Sequence, residues 1–116
     1  MHEIGIVTGI LESVTKVARD AGASRVFKVN LRIGDMREVV PEAMELAWEV
    51  LCEDDPLTDG CELAVEEVHP ESCCLACGAS FAHDRFHLRC PACQSAETQL
   101  VHGRELDIVS IEVETP

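Results

Sequence analysis

The sequence predicts an α+β protein in which two helices pack on one face of a three-stranded sheet, with a zinc-ribbon-like module inserted. Three observations predict this architecture. Two stretches repeat apolar residues at helical spacing, three stretches alternate apolar and polar residues, and two C-x-x-C pairs precede the last of these strands. We expect an α+β domain of residues 1–68 and 103–116, and a zinc-binding module of residues 69–102.

The first helix begins almost at the start of the chain. Apolar residues recur there at steps of three and four, and charged residues take the opposite side. Gly22 is placed to end the helix, since glycine readily adopts the left-handed conformation found after helix ends. The predicted apolar face comprises Ile4, Val7, Leu11, Val14 and Ala18, with Ile10, Val17 and Ala21 beside it.

After the first helix, apolar residues occupy every second position, which is typical of a half-buried strand. This strand ends at Gly34. Its predicted buried face comprises Phe27, Val29, Leu31 and Ile33.

Pro41 begins the second helix, because its fixed φ suits a first helical turn. Glu42 then lies favourably at the positive end of the helix dipole. The predicted apolar face of this helix comprises Met44, Ala47, Trp48 and Leu51.

Two further strands flank the cysteine segment, one over 62–68 and one over 104–114. In the last strand the apolar alternation shifts phase midway, which indicates either a β-bulge or burial on both faces. We expect these two strands to pair with each other, so that the two ends of the inserted module leave the core side by side.

The cysteine segment has the ligand spacing of a tetrahedral metal site. Read from Cys74, the pattern is C-x2-C-x12-C-x2-C, which sets two sulfurs on each of two tight turns. We predict a structural zinc ion bound by Cys74, Cys77, Cys90 and Cys93. Four thiolates leave no open coordination position, so this site has no obvious catalytic use.

Other interpretations of the cysteines are weaker. Seven cysteines and no recognisable signal peptide disfavour a disulfide framework. A rubredoxin-like iron site has similar cysteine motifs. Such sites lie in aromatic cores, however, and this chain has three Phe, one Trp and no Tyr. Cys73, next to Cys74, leaves a ligand swap open. Cys52 and Cys61 are expected to be reduced thiols.

Composition excludes several classes of function. A formal charge of −13 argues against nucleic acid, whose phosphates require a basic surface. No apolar stretch approaches the roughly 20 residues needed to cross a bilayer, and the many thiols indicate a reducing, cytoplasmic location. No nucleophile–base constellation or phosphate-binding loop is present, so we expect a protein that is not an enzyme.

The N-terminus offers a second metal site of different chemistry. An α-amino group titrates at about 8, and His2 places an imidazole one residue away from it. With the intervening backbone amide, these nitrogens form a planar chelate that favours Ni(II) or Cu(II) over zinc. Glu3 adds an oxygen, its backbone nitrogen or only local negative charge. An initial Met-His also arises by accident, so the pattern does not establish a site.

The motifs together resemble the HypA/HybF family of nickel-delivery accessory proteins for [NiFe]-hydrogenase maturation. They are Met1-His2-Glu3 running into an apolar helix, Leu31-Arg32-Ile33-Gly34, Cys52 with Gly60-Cys61, and the two cysteine pairs.

The resemblance implies a weak, transient Ni(II) site at Met1 (amine), His2 and Glu3, with His2 required, beside the structural Zn(II). It implies two partners, a HypB-like nickel-handling GTPase and the hydrogenase large subunit, and in some bacteria a role in urease maturation. We expect the GTPase on the exposed face of the first helix. The alternative is a zinc-ribbon interaction module with no nickel role of its own.

Four histidines remain open. His83 and His87 lie between the cysteine pairs, and His69 and His102 flank the module. They are either solvated residues or additional metal ligands. The sequence also leaves open whether exchange of a helix or strand between two copies forms a homodimer.

Overall fold

The computed structural model describes residues 2–116, and Met1 lies outside the described residues. These residues form two α-helices, one short 3₁₀ turn and six strands. In chain order they are α1 (His2–Asp20), β1 (Arg25–Gly34), the 3₁₀ turn (Asp35–Arg37), α2 (Pro41–Cys52), β2 (Glu62–Val68), β3 (Glu71–Cys74), β4 (Ser80–Ala82), β5 (Thr98–His102) and β6 (Leu106–Glu114).

The chain divides into two compact units. The helical unit comprises Met1–Leu31, Val39–Val65 and Ile108–Pro116. The cysteine unit comprises Arg32–Glu38 and Glu66–Asp107, so it includes all of residues 69–102. Strands β1, β2 and β6 each contribute residues to both units.

The first sheet has the order β2-β1-β6. The Ser24 amide donates to the Glu114 carbonyl and the Gly34 amide to the Glu105 carbonyl, both at 2.8 Å. Because these bonds join opposite ends of the two strands, β1 and β6 are antiparallel. The expected pairing of β2 with β6 is wrong, since β1 lies between them.

Two ion pairs indicate that β1 and β2 run parallel. Lys28 lies 3.3 Å from Glu62, and Arg32 lies 3.2 Å from Glu66. The partner advances by four residues in the same direction along each strand, which is a parallel register. Helix α2 supplies the crossover that parallel neighbours require.

The cysteine unit contains a second sheet, of order β4-β3-β5, that the sequence did not predict. All of its pairs are antiparallel, with Ser72 of β3 opposite Phe81 on one side and Leu100 on the other. Strands of three to five residues are too short to show an alternation in the sequence. The predicted class, α+β with two helices, a three-stranded sheet and a zinc-ribbon-like module, is confirmed.

The buried stripe of α1 differs in detail from the predicted face. Val7, Val14 and Ala18 are buried as predicted, together with Ile10. Ile4 is 43% exposed, and Leu11 is only half-buried. The stripe passes through residues 3, 7, 10, 14 and 18, and the polar Glu3 takes its first place.

Strand β1 and helix α2 each deviate by one position from the predicted face. Phe27 is 45% exposed, while Val26 is fully buried. The step from Val26 to the next buried residue is three rather than two, which turns Phe27 outward. In α2 the buried residue of the last turn is Cys52, and Leu51 is half-buried.

Within the described part of the chain, no helix has the length and apolar character that crossing a membrane requires.

Replacing Gly34 by alanine tests a close backbone approach in the cysteine unit. A Cβ at Gly34 would overlap the Gly103 carbonyl group, so the backbone must move to admit it. We expect Gly34→Ala to lower the free energy of unfolding by about 3 kcal/mol, measured by urea unfolding of zinc-loaded protein. Gly9→Ala is the matched control. Nothing lies near its Cβ position in α1, so it should stabilise by roughly 0.5–1 kcal/mol. Equal urea midpoints for the two variants would contradict this account.

Candidate metal centres

Four cysteine sulfurs converge in the cysteine unit. The ligand atoms of Cys74, Cys77, Cys90 and Cys93 all lie within 4.8 Å of one another. The Cys74–Cys93 and Cys77–Cys90 sulfur pairs are each 3.6 Å apart. Tetrahedral thiolates about 2.3 Å from one zinc ion would be separated by about 3.8 Å. The four sulfurs therefore fit a zinc ion.

Each cysteine pair sits on a turn with the same design. In the first, Gly78 adopts a φ of 79° and its amide donates to the Cys74 carbonyl at 2.9 Å. In the second, Gln94 adopts a φ of 65° and its amide donates to the Cys90 carbonyl at 2.8 Å. The residue after each pair is therefore left-handed. Glycine does this at little cost, whereas Gln94 does so with a side chain.

The first cysteine of each pair is buried and the second is exposed. Cys74 and Cys90 are 1% and 0% exposed, and they form a small core with Phe81. The Cys77 amide approaches the Cys74 sulfur at 3.5 Å, and this bond is the largest cause that lowers the pKa of Cys74, to about 7. The Cys77 amide thus favours the thiolate form of Cys74, which is the form that binds a metal ion.

Cys73 lies outside this group. Its thiol points to the Cys74 carbonyl at 3.8 Å and is half-buried. Among the described residues, only one set has ligand atoms close enough together to hold a metal ion. It consists of the four convergent cysteines and does not include Cys73.

The two histidines between the cysteine pairs have local partners. His83 Nε2 lies 2.7 Å from the Ser72 hydroxyl, and His87 Nδ1 lies 2.7 Å from an Asp84 carboxylate oxygen. Neither joins the convergent sulfurs. Their contacts order the loop between the pairs.

The two histidines that flank the module contact carboxylates in the same unit. His69 Nδ1 lies 2.8 Å from an Asp35 oxygen, and His102 Nδ1 lies 3.4 Å from a Glu105 oxygen. These contacts connect the ends of the inserted segment to the 3₁₀ turn and to the start of β6.

At the N-terminus, the predicted amine ligand belongs to Met1, outside the described residues. His2 is in the first turn of α1, its side chain is 54% exposed, and its Nε2 lies 3.4 Å from a Glu3 oxygen. The imidazole is therefore accessible to a metal ion from solvent.

Glu3, in contrast, is buried at 5% exposure. Its carboxylate accepts a hydrogen bond from the Val40 amide at 3.1 Å, and this bond is the first cause that lowers the pKa of Glu3. Val40 precedes the first turn of α2 and has no capping side chain of its own. Glu3 thus supplies a negative charge at the positive end of α2. Sequence reasoning missed this contact because the partners are 37 positions apart.

Cys52 and Cys61 are buried in the helical unit and are not among the convergent sulfurs. Burial raises the pKa of Cys52 to about 12 and that of Cys61 to about 11. Trp48 donates from its indole nitrogen to the Cys61 carbonyl at 2.9 Å. Both thiols are therefore neutral core groups near pH 7.

An α+β fold with a closed four-cysteine group defines the chain as a small metal-binding protein. A family model described as hydrogenase/urease nickel incorporation, metallochaperone, HypA matches residues 1–113. The hydrogenase maturation factor HypA of Chlorobaculum parvum is 35% identical over 114 residues, which cover 98% of this chain and 100% of the relative. The HypA of Geobacter metallireducens is 38% identical with the same coverage. The chain belongs to the HypA family of hydrogenase maturation factors, which confirms the resemblance seen in its motifs.

The fold is also shared with a solved structure. The solution structure of the Ni metallochaperone HypA from Helicobacter pylori matches with a TM-score of 0.73 and 20% identity, and the match covers 100% of both chains.

Serine substitution distinguishes the four convergent cysteines from Cys73. We expect Cys90→Ser to weaken zinc binding by more than roughly 100-fold, beyond the loss usual for outer-shell partners, because three thiolates would remain. Cys73→Ser is the matched control, and it should retain one zinc ion per chain. Metal content and competition with a chromogenic chelator measure both. Loss of zinc from the Cys73 variant would reassign the ligand set.

Proposed function

We propose that this chain binds Ni(II) transiently at its N-terminus and delivers it during maturation of [NiFe]-hydrogenase, and also of urease where that enzyme is present. The observation that carries this proposal is the match to the HypA family over residues 1–113, a range that contains Met1-His2-Glu3. The chain acts in this role as a carrier and not as an enzyme.

The proposed nickel ligands are the Met1 amine, the His2 imidazole and backbone nitrogens between and after them, with Glu3 as the third residue of the site. The exposure of His2 supports this assignment. The carboxylate of Glu3 already accepts a bond from Val40. We therefore assign it the role of fixing the start of α1 rather than that of an oxygen ligand.

The two sites would separate metals by ligand chemistry. A planar set of nitrogens favours Ni(II), whereas four soft thiolates in a tetrahedron favour zinc. A site with few ligands near solvent also releases its metal readily, since protonation of the amine or the imidazole competes with binding. Retention of zinc and release of nickel then follow from the ligand sets.

The proposed Zn(II), held by Cys74, Cys77, Cys90 and Cys93, would hold the cysteine unit together. The buried cluster around these ligands consists of Cys74, Phe81 and Cys90, with Ala79 packed against it. So small an apolar core needs a metal to support a fold. In this proposal residues 69–102 form the zinc module, and residues 1–68 with 103–116 carry the nickel site.

The proposed partners are the HypB-like nickel-handling GTPase and the hydrogenase large subunit, and the proposed location is the cytoplasm. A surface hollow of about 450 Å³ beside α1 supports docking of the GTPase there. Its lining includes the apolar Leu11 and Leu51 together with the charged Glu12 and Lys16. Protein interfaces likewise combine apolar and polar side chains.

Calorimetry of nickel binding tests the chelate. Zinc-loaded protein with its native N-terminus should bind one Ni(II), because amine and imidazole act together. His2→Gln and a variant with one residue added before Met1 should each lose this binding while zinc is retained. If all three proteins bind nickel equally, the site lies elsewhere.

A pair of substitutions tests the role of Glu3. Glutamine retains an oxygen that can accept from the Val40 amide but is a poor nickel ligand, so Glu3→Gln should keep nickel affinity within a few-fold. Glu3→Ala removes the acceptor and should lower both the melting temperature and nickel affinity. If Glu3→Gln loses nickel at an unchanged melting temperature, the carboxylate is a ligand instead.

The second candidate function is an interaction module whose folding depends on zinc and whose N-terminus binds no metal. The presence of a complete four-cysteine group favours it independently of the N-terminus. Normal partner binding by the His2→Gln variant, with no nickel bound by native protein, would support this alternative.

A further inference from the structure

The loop between the two cysteine pairs exposes large apolar side chains. Phe86 is 75% exposed, the highest value among the large apolar residues of the described chain, and Leu88 is 47% exposed. By comparison, Phe81 in the same unit is 9% exposed. Single exposed apolar residues are common, so the case for a function depends on what surrounds Phe86.

Hydrogen bonds hold this loop in one conformation. Asp84 Oδ1 accepts from the backbone amides of Phe86 and His87, both at 2.8 Å, and Asp84 Oδ2 contacts the His87 ring at 2.7 Å. Thr98 of β5 donates to the Leu88 carbonyl at 3.1 Å. Phe86 is thus presented on an ordered segment, which reduces the entropy that a binding partner would have to remove.

The loop is also basic, in contrast to the rest of the chain. Arg85 and Arg89 border Phe86 and Leu88, and both are exposed. The Arg85 guanidinium lies 5.1 Å from the centre of the Phe86 ring. The one carboxylate between Gly78 and Arg89 is Asp84, which is occupied by the contacts just described. A chain of net charge −13 therefore carries a local basic and apolar surface.

These features match the residues that dominate protein interfaces. Aromatic residues and arginine are enriched at binding hot spots, and a guanidinium pairs with a carboxylate through two parallel hydrogen bonds. Two arginines on so acidic a chain are too few to hold a polyphosphate, since the surrounding charge repels it. The complementary surface is an apolar pocket with carboxylates on its rim.

We propose that the loop of residues 83–89 docks on a partner protein, with Phe86 in an apolar pocket and Arg85 and Arg89 paired with carboxylates at its edge. This inference rests on the proposed function for the choice of partner. The GTPase is assigned to α1 in the helical unit, so the partner for the cysteine unit is the nickel recipient, the hydrogenase large subunit.

Interferometry with immobilised, zinc-loaded chain tests this docking, with purified large-subunit precursor as the probe. Phe86→Ser and Arg85→Glu should each weaken binding at least about tenfold. The matched controls are Phe27→Ser, an exposed phenylalanine of the helical unit, and Arg104→Glu, an exposed arginine outside the loop. Both controls should stay within about twofold of the native protein, below the threshold for a hot spot.

The salt dependence of binding separates the ionic contribution of Arg85 from the apolar contribution of Phe86. Raising NaCl from about 0.05 to about 0.5 M shortens the screening length to a few ångströms. The effect of Arg85→Glu should shrink accordingly, while that of Phe86→Ser should persist. Zinc content and nickel calorimetry of each variant should match the native protein, since neither metal site includes these residues.

Three outcomes would overturn the proposal. The first is that the loop variants and their controls bind the precursor equally well, and the second is that native protein does not bind it at all. The third is that sedimentation shows dissociation of a dimer by Phe86→Ser, in which case a second copy covers the loop. A failure of the proposed nickel role is distinguishable, because it appears as absent nickel binding in calorimetry with docking retained.

Discussion

The convergence of four sulfurs is the constraint on which the cysteine unit depends. Two turns, each closed by a left-handed residue, bring thiols separated by a dozen residues to within 4.8 Å of one another. The apolar core around them is small, so metal–ligand bonds would replace the burial that stabilises larger cores. The short strands β3, β4 and β5 surround this point, and the ordered loop that carries Phe86 is anchored to the same strands.

In the helical unit, one buried carboxylate connects the fold to the proposed site. Glu3 is the first residue of the buried stripe of α1, a position where an apolar residue is usual. The Val40 amide stabilises its buried carboxylate by a hydrogen bond. His2 is next to it and remains exposed. Burial of one residue and exposure of its neighbour follow from the helical period. The bond that fixes Glu3 therefore also orients the exposed His2 beside it.

The sequence predicted features that follow from local spacing. The helices, the α+β class and the convergence of the four cysteines all depend on short-range patterns with a known geometry. It did not predict the order β2-β1-β6, because alternation identifies a strand but not its neighbour. Phe27 was assigned to the wrong face because the irregular step after Val26 is a backbone property. The Glu3–Val40 contact and the short strands of the second sheet left no periodic signal.

The strand order has a consequence for how the chain folds as it is synthesised. Strand β6 is the last described element, and its partner β1 lies near the start, so that Ser24 and Glu114 are 90 positions apart. The central strand β1 therefore lacks one neighbour until β6 has left the ribosome. Closing so long a loop is slow and entropically costly. A metal ion bound by the four cysteines would close a loop within the intervening segment, which shortens the free chain between β1 and β6.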